Sequence, residues 1–168
     1  PAAVYVHHSS KEDLLYLISR EGHDRALAVL READARAVRD HSTDPYDRLR
    51  AAMHAFTRWH AEHHTAARVV QYELAALSPE HRREIAERRR EIDAHMRDLI
   101  AAGVERGAFA VPDVAGTALA LLSLAVDVAR WYRDDGPRDA ASVADLYADL
   151  AVRIVRRDPA PGAASGRR

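Results

Sequence analysis

The sequence contains no cysteine, which excludes disulfide bonds and thiolate metal sites. Glycine and proline are scarce, with seven of each in 168 residues, and this leaves room for long helices. The net charge of −1 excludes a uniformly basic surface, so any DNA contact must be local. The most apolar stretch, 114–129, contains Asp127 and is shorter than the ~20 residues of a membrane span. With no signal-peptide pattern near the start, we expect a soluble cytoplasmic protein without membrane contact.

Apolar residues recur at helical spacing along most of the chain, and the alternation typical of strands is missing. Pro45, Pro79 and Pro112 each open such a run, as the fixed φ of proline allows in a first turn. Either Ser9 with Glu12 or Ser10 with Asp13 can cap the first helix. The sequence therefore predicts an all-α helical bundle with helices at about 10–39, from 45 onward, 65–77, 79–103, 112–133 and 140–156.

The last two helices have more apolar surface than one small bundle needs. The helix after Pro112 is apolar nearly all round, so we expect it to be buried on more than one side. The final helix has a wide apolar face between Val143 and Ile154. We predict that both pack against their own copies in a four-helix dimer interface. The alternative is that both are central in a single bundle. The predicted interface contacts include Leu124, Val128, Leu146 and Leu150.

His60 and His64 are the most suggestive candidates for a metal site, because a spacing of four can place two imidazoles on one helical face. No second histidine pair or Glu-x-x-His motif accompanies them. Signatures of nucleotide-binding loops, dinucleotide folds, hydrolases and zinc proteases are missing as well. We therefore predict no enzyme, no metal and no cofactor. The alternatives are a helical-bundle metalloprotein or enzyme built on this cluster, and a bare helical interaction module.

The segment YVHHSSKEDLL at residues 5–15 resembles the join between the recognition helix and the first body helix of TetR-family repressors, with His8 where the family usually has Phe. Segments 99–109 and 129–137 resemble the seventh and eighth helices of a branch that responds to acyl-CoA-like ligands. The resemblance extends to about Arg156. It implies that residues 1–9 are the remnant of a helix-turn-helix head, 10–157 a ligand-binding and dimerisation domain, and 158–168 a disordered tail.

The resemblance also implies a homodimeric, ligand-responsive repressor of operator DNA. Tyr5, His7 and Lys11 match family positions that hold phosphates, and Ala2 and Ala3 fall where short side chains approach base edges. The two helices that precede the recognition helix in the family are missing from the sequence. Operator binding is therefore expected only of a full-length parent.

In such a bundle we expect a mostly apolar ligand pocket with a few polar groups. The resemblance implies a small amphipathic effector, such as an acyl-CoA or a related acid. Arg89 lies on the apolar stripe of Ile85 and Ile92, where a buried guanidinium needs an anionic ligand or an internal acid, unless it reaches out to solvent. The predicted lining consists of Phe56, Trp59, His60, His63, Tyr72, Arg89, Ile92, Met96, Leu122, Val126 and Trp131.

Overall fold

The computed structural model describes residues 10–40 and 44–156, and these ranges contain six α-helices and one 3₁₀ turn. The elements are α1 (Lys11–Arg39), α2 (Pro45–Glu62), α3 (His64–Glu73), the 3₁₀ turn Leu74–Ala76, α4 (Pro79–Glu105), α5 (Val114–Trp131) and α6 (Ala140–Val155). No regular strand occurs in these ranges, where Phe109 and Arg156 form an isolated antiparallel bridge. The prediction of an all-α bundle is confirmed.

Most helix starts follow from the capping residues. The Ser10 hydroxyl accepts a hydrogen bond from the Asp13 amide at 3.0 Å, so the second of the two predicted caps is the one formed. Pro45 and Pro79 lie in the first turns of α2 and α4. The predicted helix 65–77 is shorter than expected, because α3 ends at Glu73 and a 3₁₀ turn follows. Ser78 is extended, as the residue before a proline tends to be, so a helix cannot continue through it.

Helix α2 lies at the centre of the bundle and packs against α6, α1 and α5. The side of α6 that faces the bundle is rich in small residues, including Ala144, Ala148 and Ala151, which let the two helices approach closely. The large residues Leu146 and Leu150 lie on the opposite, exposed side. The core of the protomer is therefore complete without them.

The starts of α1 and α4 are joined through Glu12. Its carboxylate accepts hydrogen bonds from the Ser78 amide at 2.7 Å and from His81 Nδ1 at 2.8 Å. These two hydrogen bonds, the Ser78 amide first, lower the pKa of Glu12. The His81 ring stacks on Tyr16 with centroids 3.7 Å apart. The end of the bundle at which α1 begins is therefore held by two helices rather than one.

Helix α5 is less enclosed than its composition predicts. Leu119 is 63% exposed and Leu124 is 41% exposed, so within one protomer α5 is buried on one side only, and burial of its other side against a second copy stays a prediction. By length and composition alone, Val114–Trp131 would also pass for a membrane span, with a mean hydropathy of 1.4. A helix that packs against a bundle on one side and a partner on the other meets the same criteria, so this test alone is weak evidence for a membrane.

Candidate ligand site

The predicted pocket residues separate into an inner and an outer group. The inner group comprises Phe56, Ile92, Met96 and Leu122 in the main core cluster, with Trp59 and Val126 packed against it. His60 joins them, since its ring centroid lies 4.5 Å from that of Phe56 and 4.9 Å from that of Trp59. The structure thus brings seven predicted residues together from α2, α4 and α5.

The outer group, His63, Tyr72, Arg89 and Trp131, is exposed, which corrects the expectation that these side chains face the interior. Successive residues of an α-helix are rotated by about 100° around the helix axis, so a shift of one position in the sequence changes the side of the helix on which a side chain lies. On α4, Arg88 Nε donates to Asp24 of α1 at 2.8 Å. Arg89 is exposed, yet its charge, after the larger effect of burial, also lowers the pKa of His23 on α1. Similarly, Gln71 bonds the Val126 carbonyl at 2.9 Å, which leaves Tyr72 65% exposed.

Helices α1 and α2 run antiparallel, and two contacts fix their register. Arg48 bonds Asp34 at one end, and at the other a Cβ added to Gly22 would lie 3.9 Å from the Trp59 ring. This register sets His23 opposite Trp59 and His60, in agreement with the electrostatic effect of His23 on the pKa of His60. Residues of α1 that the sequence reasoning missed therefore complete the site.

His23 and His60 are held in one defined tautomer. Their Nδ1 atoms lie 2.7 Å from the Ser19 carbonyl and 2.8 Å from the Phe56 carbonyl. A carbonyl has no proton to give, so Nδ1 must be the donor in both rings. Burial lowers the pKa of His23, and it lowers the pKa of His60 to about 4. Both imidazoles are therefore neutral at pH 7, and in each ring Nε2 is the nitrogen that can accept a hydrogen bond.

Ser19 lies one helical turn before His23 and is fully buried. Its Oγ has no hydrogen-bond partner among the residues that the structure describes. We call Ser19, His23 and His60 the polar layer; along α1, Ser19 and His23 lie between Leu15 of the smaller apolar cluster and Ala26 of the main core cluster. The signal in the sequence was the pair of polar residues at 19 and 23 inside the stripe that contains Leu15 and Ala26.

The His60–His64 pair does not form the metal site considered above. Helix α2 ends at Glu62 and α3 starts at His64, so the two histidines lie on different helices. The Nδ1 atoms of both already bond backbone carbonyls, of Phe56 and Ala61. Within 10–40 and 44–156, no three potential ligands are grouped for a metal ion.

A surface groove of about 630 Å³ lies elsewhere, between α1, α2 and α6. Its lining combines alanines such as Ala33 and Ala51 with charged residues such as Glu32 and Arg36. His54 lies 3.3 Å from Asp145 in this lining, so part of the charge is satisfied internally. The groove is open to solvent and contains none of the predicted pocket residues, so it is a weaker candidate for an apolar ligand than the interior.

Helices α5 and α6 carry six exposed large apolar residues, which together we call the apolar face. Its members are Leu119, Leu124, Trp131, Leu146, Leu150 and Ile154. Three of the four predicted interface contacts therefore have accessible surface. Val128 does not: it is fully buried with Ala61, Tyr132 and Val143, so its assignment to the interface is corrected to the core of the protomer.

Of the predicted DNA contacts, Ala2, Ala3, Tyr5 and His7 lie outside the described residues. Lys11 is the first residue of α1 and is exposed. The N-terminal end of α1 thus presents an ammonium group to solvent.

The sequence-family model of the tetracyclin repressor-like C-terminal domain matches residues 42–155, about two-thirds of the chain. The chain belongs to the TetR family. TetR-family regulators are transcription factors rather than enzymes, so the prediction of a non-enzymatic protein is confirmed. None of the curated proteins compared with it by sequence matches this chain.

Solved structures agree with this membership. A TetR-family regulatory protein from Rhodococcus RHA1 shares 40% identity over 95% of this chain and 81% of its own, with a TM-score of 0.83. The regulator PfmR from Thermus thermophilus shares 34% identity over 93% of this chain and 82% of its own, with a TM-score of 0.80. AibR, in complex with isovaleryl coenzyme A and operator DNA, shares the fold at 24% identity, 89% and 78% coverage and a TM-score of 0.67.

Proposed function

We propose that this TetR-family chain is the ligand-binding and dimerising body of a cytoplasmic transcriptional repressor, which binds operator DNA as a homodimer and leaves it when a small amphipathic ligand binds. The observation that carries the proposal is the apolar face of α5 and α6. Six large apolar side chains on two helices would be costly to leave in water, and a two-fold axis can bury each copy against the other.

Ligand control follows from the geometry that such a dimer must meet. Two recognition helices fit successive half-sites only when they are about 34 Å apart. A ligand that binds the form with another spacing more tightly shifts the population away from DNA. The join of α1 to α4 through Glu12 supports this role, because it ties the start of α1 to a helix that lines the candidate site.

The effector class proposed first is an acyl-CoA or a related acid. AibR, which shares the fold, is a regulator solved with isovaleryl coenzyme A. A thermal-shift screen with acyl-CoA thioesters and amphipathic acids tests this directly. A ligand at about 100 times its dissociation constant should add roughly 2.7 kcal/mol of stability.

The dimer is tested by replacing Leu146 and Leu150 with glutamate. We expect monomers or aggregates in light scattering, because two charges per copy would have to be buried in the interface. The matched control replaces Val38 and Val69, which are exposed outside the apolar face, and should still give a dimer. A stable dimer in both double variants would contradict the proposed interface.

A further inference from the structure

An ion pair lies among the exposed apolar residues of α5. Arg130 donates two hydrogen bonds to the Asp127 carboxylate, from Nε at 2.7 Å and from Nη2 at 3.1 Å. Residues three or four positions apart share one side of a helix, so Asp127 lies in line with Leu124 and Trp131, which are both 41% exposed. The pair is therefore placed inside the α5 part of the apolar face rather than beyond it.

The surroundings of the pair include α6. The Trp131 ring lies 6.5 Å from that of Tyr147 on α6, measured between the centroids. Burial raises the pKa of Tyr147, a hydrogen bond with Trp131 opposes this effect, and the charge of Asp127 adds to it. The two helices that carry the apolar face thus come together beside the ion pair.

The Asp127–Arg130 pair has a different value in one protomer and in an interface. The two side chains are 48% and 58% exposed, and an exposed ion pair of this kind contributes little to stability. Once a partner covers the apolar face, both charged groups lose water, which is unfavourable unless the partner offers them further opposite charges. A partner or a register that fails to do so is rejected.

A second copy of this chain is the partner that fits these charges. Under a two-fold axis the same patch of both copies meets, so that residue i contacts residue j and residue j contacts residue i. An acid and a base side by side on one copy can therefore face a base and an acid on the other. A membrane or a purely apolar helix would cover the same leucines but would bury the pair without an opposite charge.

We propose that the Asp127–Arg130 pair selects the partner at the apolar face, with the carboxylate of each copy bonding the guanidinium of the other across the two-fold axis. This inference rests on the proposed function, in which two copies meet through α5 and α6. The apolar side chains supply the hydrophobic contact, and the four charges decide which chains pair and in which register. A related chain with other charges at these two positions is excluded from mixed dimers.

The test reverses the pair while keeping it within one chain. Asp127→Arg combined with Arg130→Asp retains a local ion pair and should form homodimers as wild type does. A heterodimer of wild type with this reversed variant would set acid against acid and base against base. We expect heterodimers to fall about tenfold below their statistical half of all dimers, because like charges in an interface repel. Native mass spectrometry counts the species, with one chain isotopically labelled because the reversal leaves the mass unchanged.

Reversal of a surface pair outside the apolar face is the matched control. Arg97 Nε lies 3.0 Å from Asp93 on α4, one helical turn away. The variant Asp93→Arg with Arg97→Asp should therefore mix with wild type in statistical proportions. The single variants give a second route. Asp127→Arg and Arg130→Asp should each form homodimers about tenfold more weakly than wild type, and a mixture of the two should favour the heterodimer.

Statistical mixing of wild type with the reversed variant overturns the inference, and so does the absence of heterodimer preference between the two single variants. If the reversed variant does not fold, the mixture of single variants decides alone. In either case a wild-type dimer remains, and the proposed function stands. If wild type itself forms no dimer, the proposed homodimer fails together with the inference.

Discussion

Arg48 on α2 holds Asp34 on α1 through two hydrogen bonds, from Nε at 2.7 Å and from Nη2 at 2.9 Å. The Asp34 side chain is 11% exposed, and His95 Nε2 on α4 lies 3.5 Å from Asp34 Oδ2, the oxygen that also accepts from Arg48 Nη2. The pair therefore fixes the register of α1 and α2 close to α4. The same register sets His23 opposite His60, so the ion pair and the polar layer depend on one another.

Removing Arg48 should destabilise the protein more than the loss of an ordinary surface charge. Arg48→Met leaves Asp34 buried without its cation, and we expect the free energy of unfolding to fall by about 2–3 kcal/mol. The exposed pair Arg31–Glu91 provides the control, and Arg31→Met should cost less than about 1 kcal/mol. Urea unfolding measures both. The double variant Asp34→Asn with Arg48→Met should recover part of the stability that Arg48→Met loses. If Arg48→Met and Arg31→Met lose the same free energy of unfolding, this account is contradicted.

His60 makes stability depend on pH over a defined window. Burial holds its pKa at about 4 in the folded protein, against 6.5 when unfolded. Between these values the unfolded chain binds the proton and the folded chain does not, so stability falls as the pH is lowered from about 6.5 toward 4. The contribution is on the order of 3 kcal/mol. His23 and His95, whose pKa values burial also lowers, act in the same direction.

The measurement is the free energy of unfolding at several pH values in that window. His60→Phe should reduce the slope against pH, whatever it does to stability at pH 7, because it removes one group that takes up a proton on unfolding. His63→Phe replaces an exposed neighbour and should leave the slope nearly unchanged. An equal slope in wild type and His60→Phe would show that the pKa of His60 is the same in the folded and unfolded states, which would contradict the burial effect.

Two helical glycines should respond oppositely to alanine. A Cβ at Gly103 would overlap the ring of Phe109, which is 3% exposed and whose amide donates to the Gly103 carbonyl. Gly103→Ala should therefore cost at least about 2 kcal/mol through overpacking. At Gly22 the nearest atom would be 3.9 Å away, so Gly22→Ala should gain about 0.5–1 kcal/mol from reduced backbone entropy in the unfolded chain. Thermal melts of the two variants check the pair, and a stabilised Gly103→Ala would contradict the packing at Phe109.

The helices could be predicted from the sequence because their signals are local. Pro45, Pro79 and the Ser10 cap mark starts that depend only on neighbouring residues. The sequence is less informative about which side of a helix faces the core. Periodicity gave α6 an apolar face but could not tell that its small residues, such as Ala148, pack on α2 while Leu150 faces outward.

The polar layer was only half predicted, for the same physical reason. His60 and Trp59 stood out as a cluster within one helix, whereas Ser19 and His23 reach them only through the antiparallel register of α1 and α2. A register of this kind is fixed by contacts such as Asp34–Arg48, between residues 14 positions apart in sequence. No local pattern specifies it.

Lys11 provides the last prediction, because it is the only lysine in the sequence. It is exposed at the positive end of α1, where both its ammonium and the helix dipole would attract a phosphate. In the regulator with a complete helix-turn-helix head, Lys11→Ala should weaken operator and scrambled DNA equally and lower the slope of log K against log salt by about one. Lys11→Arg should restore the slope, and Arg25→Ala, an exposed cation farther along α1, should leave it unchanged. Titrations at several salt concentrations decide the matter: an unchanged slope with an altered sequence preference would mean that Lys11 reads bases rather than phosphates.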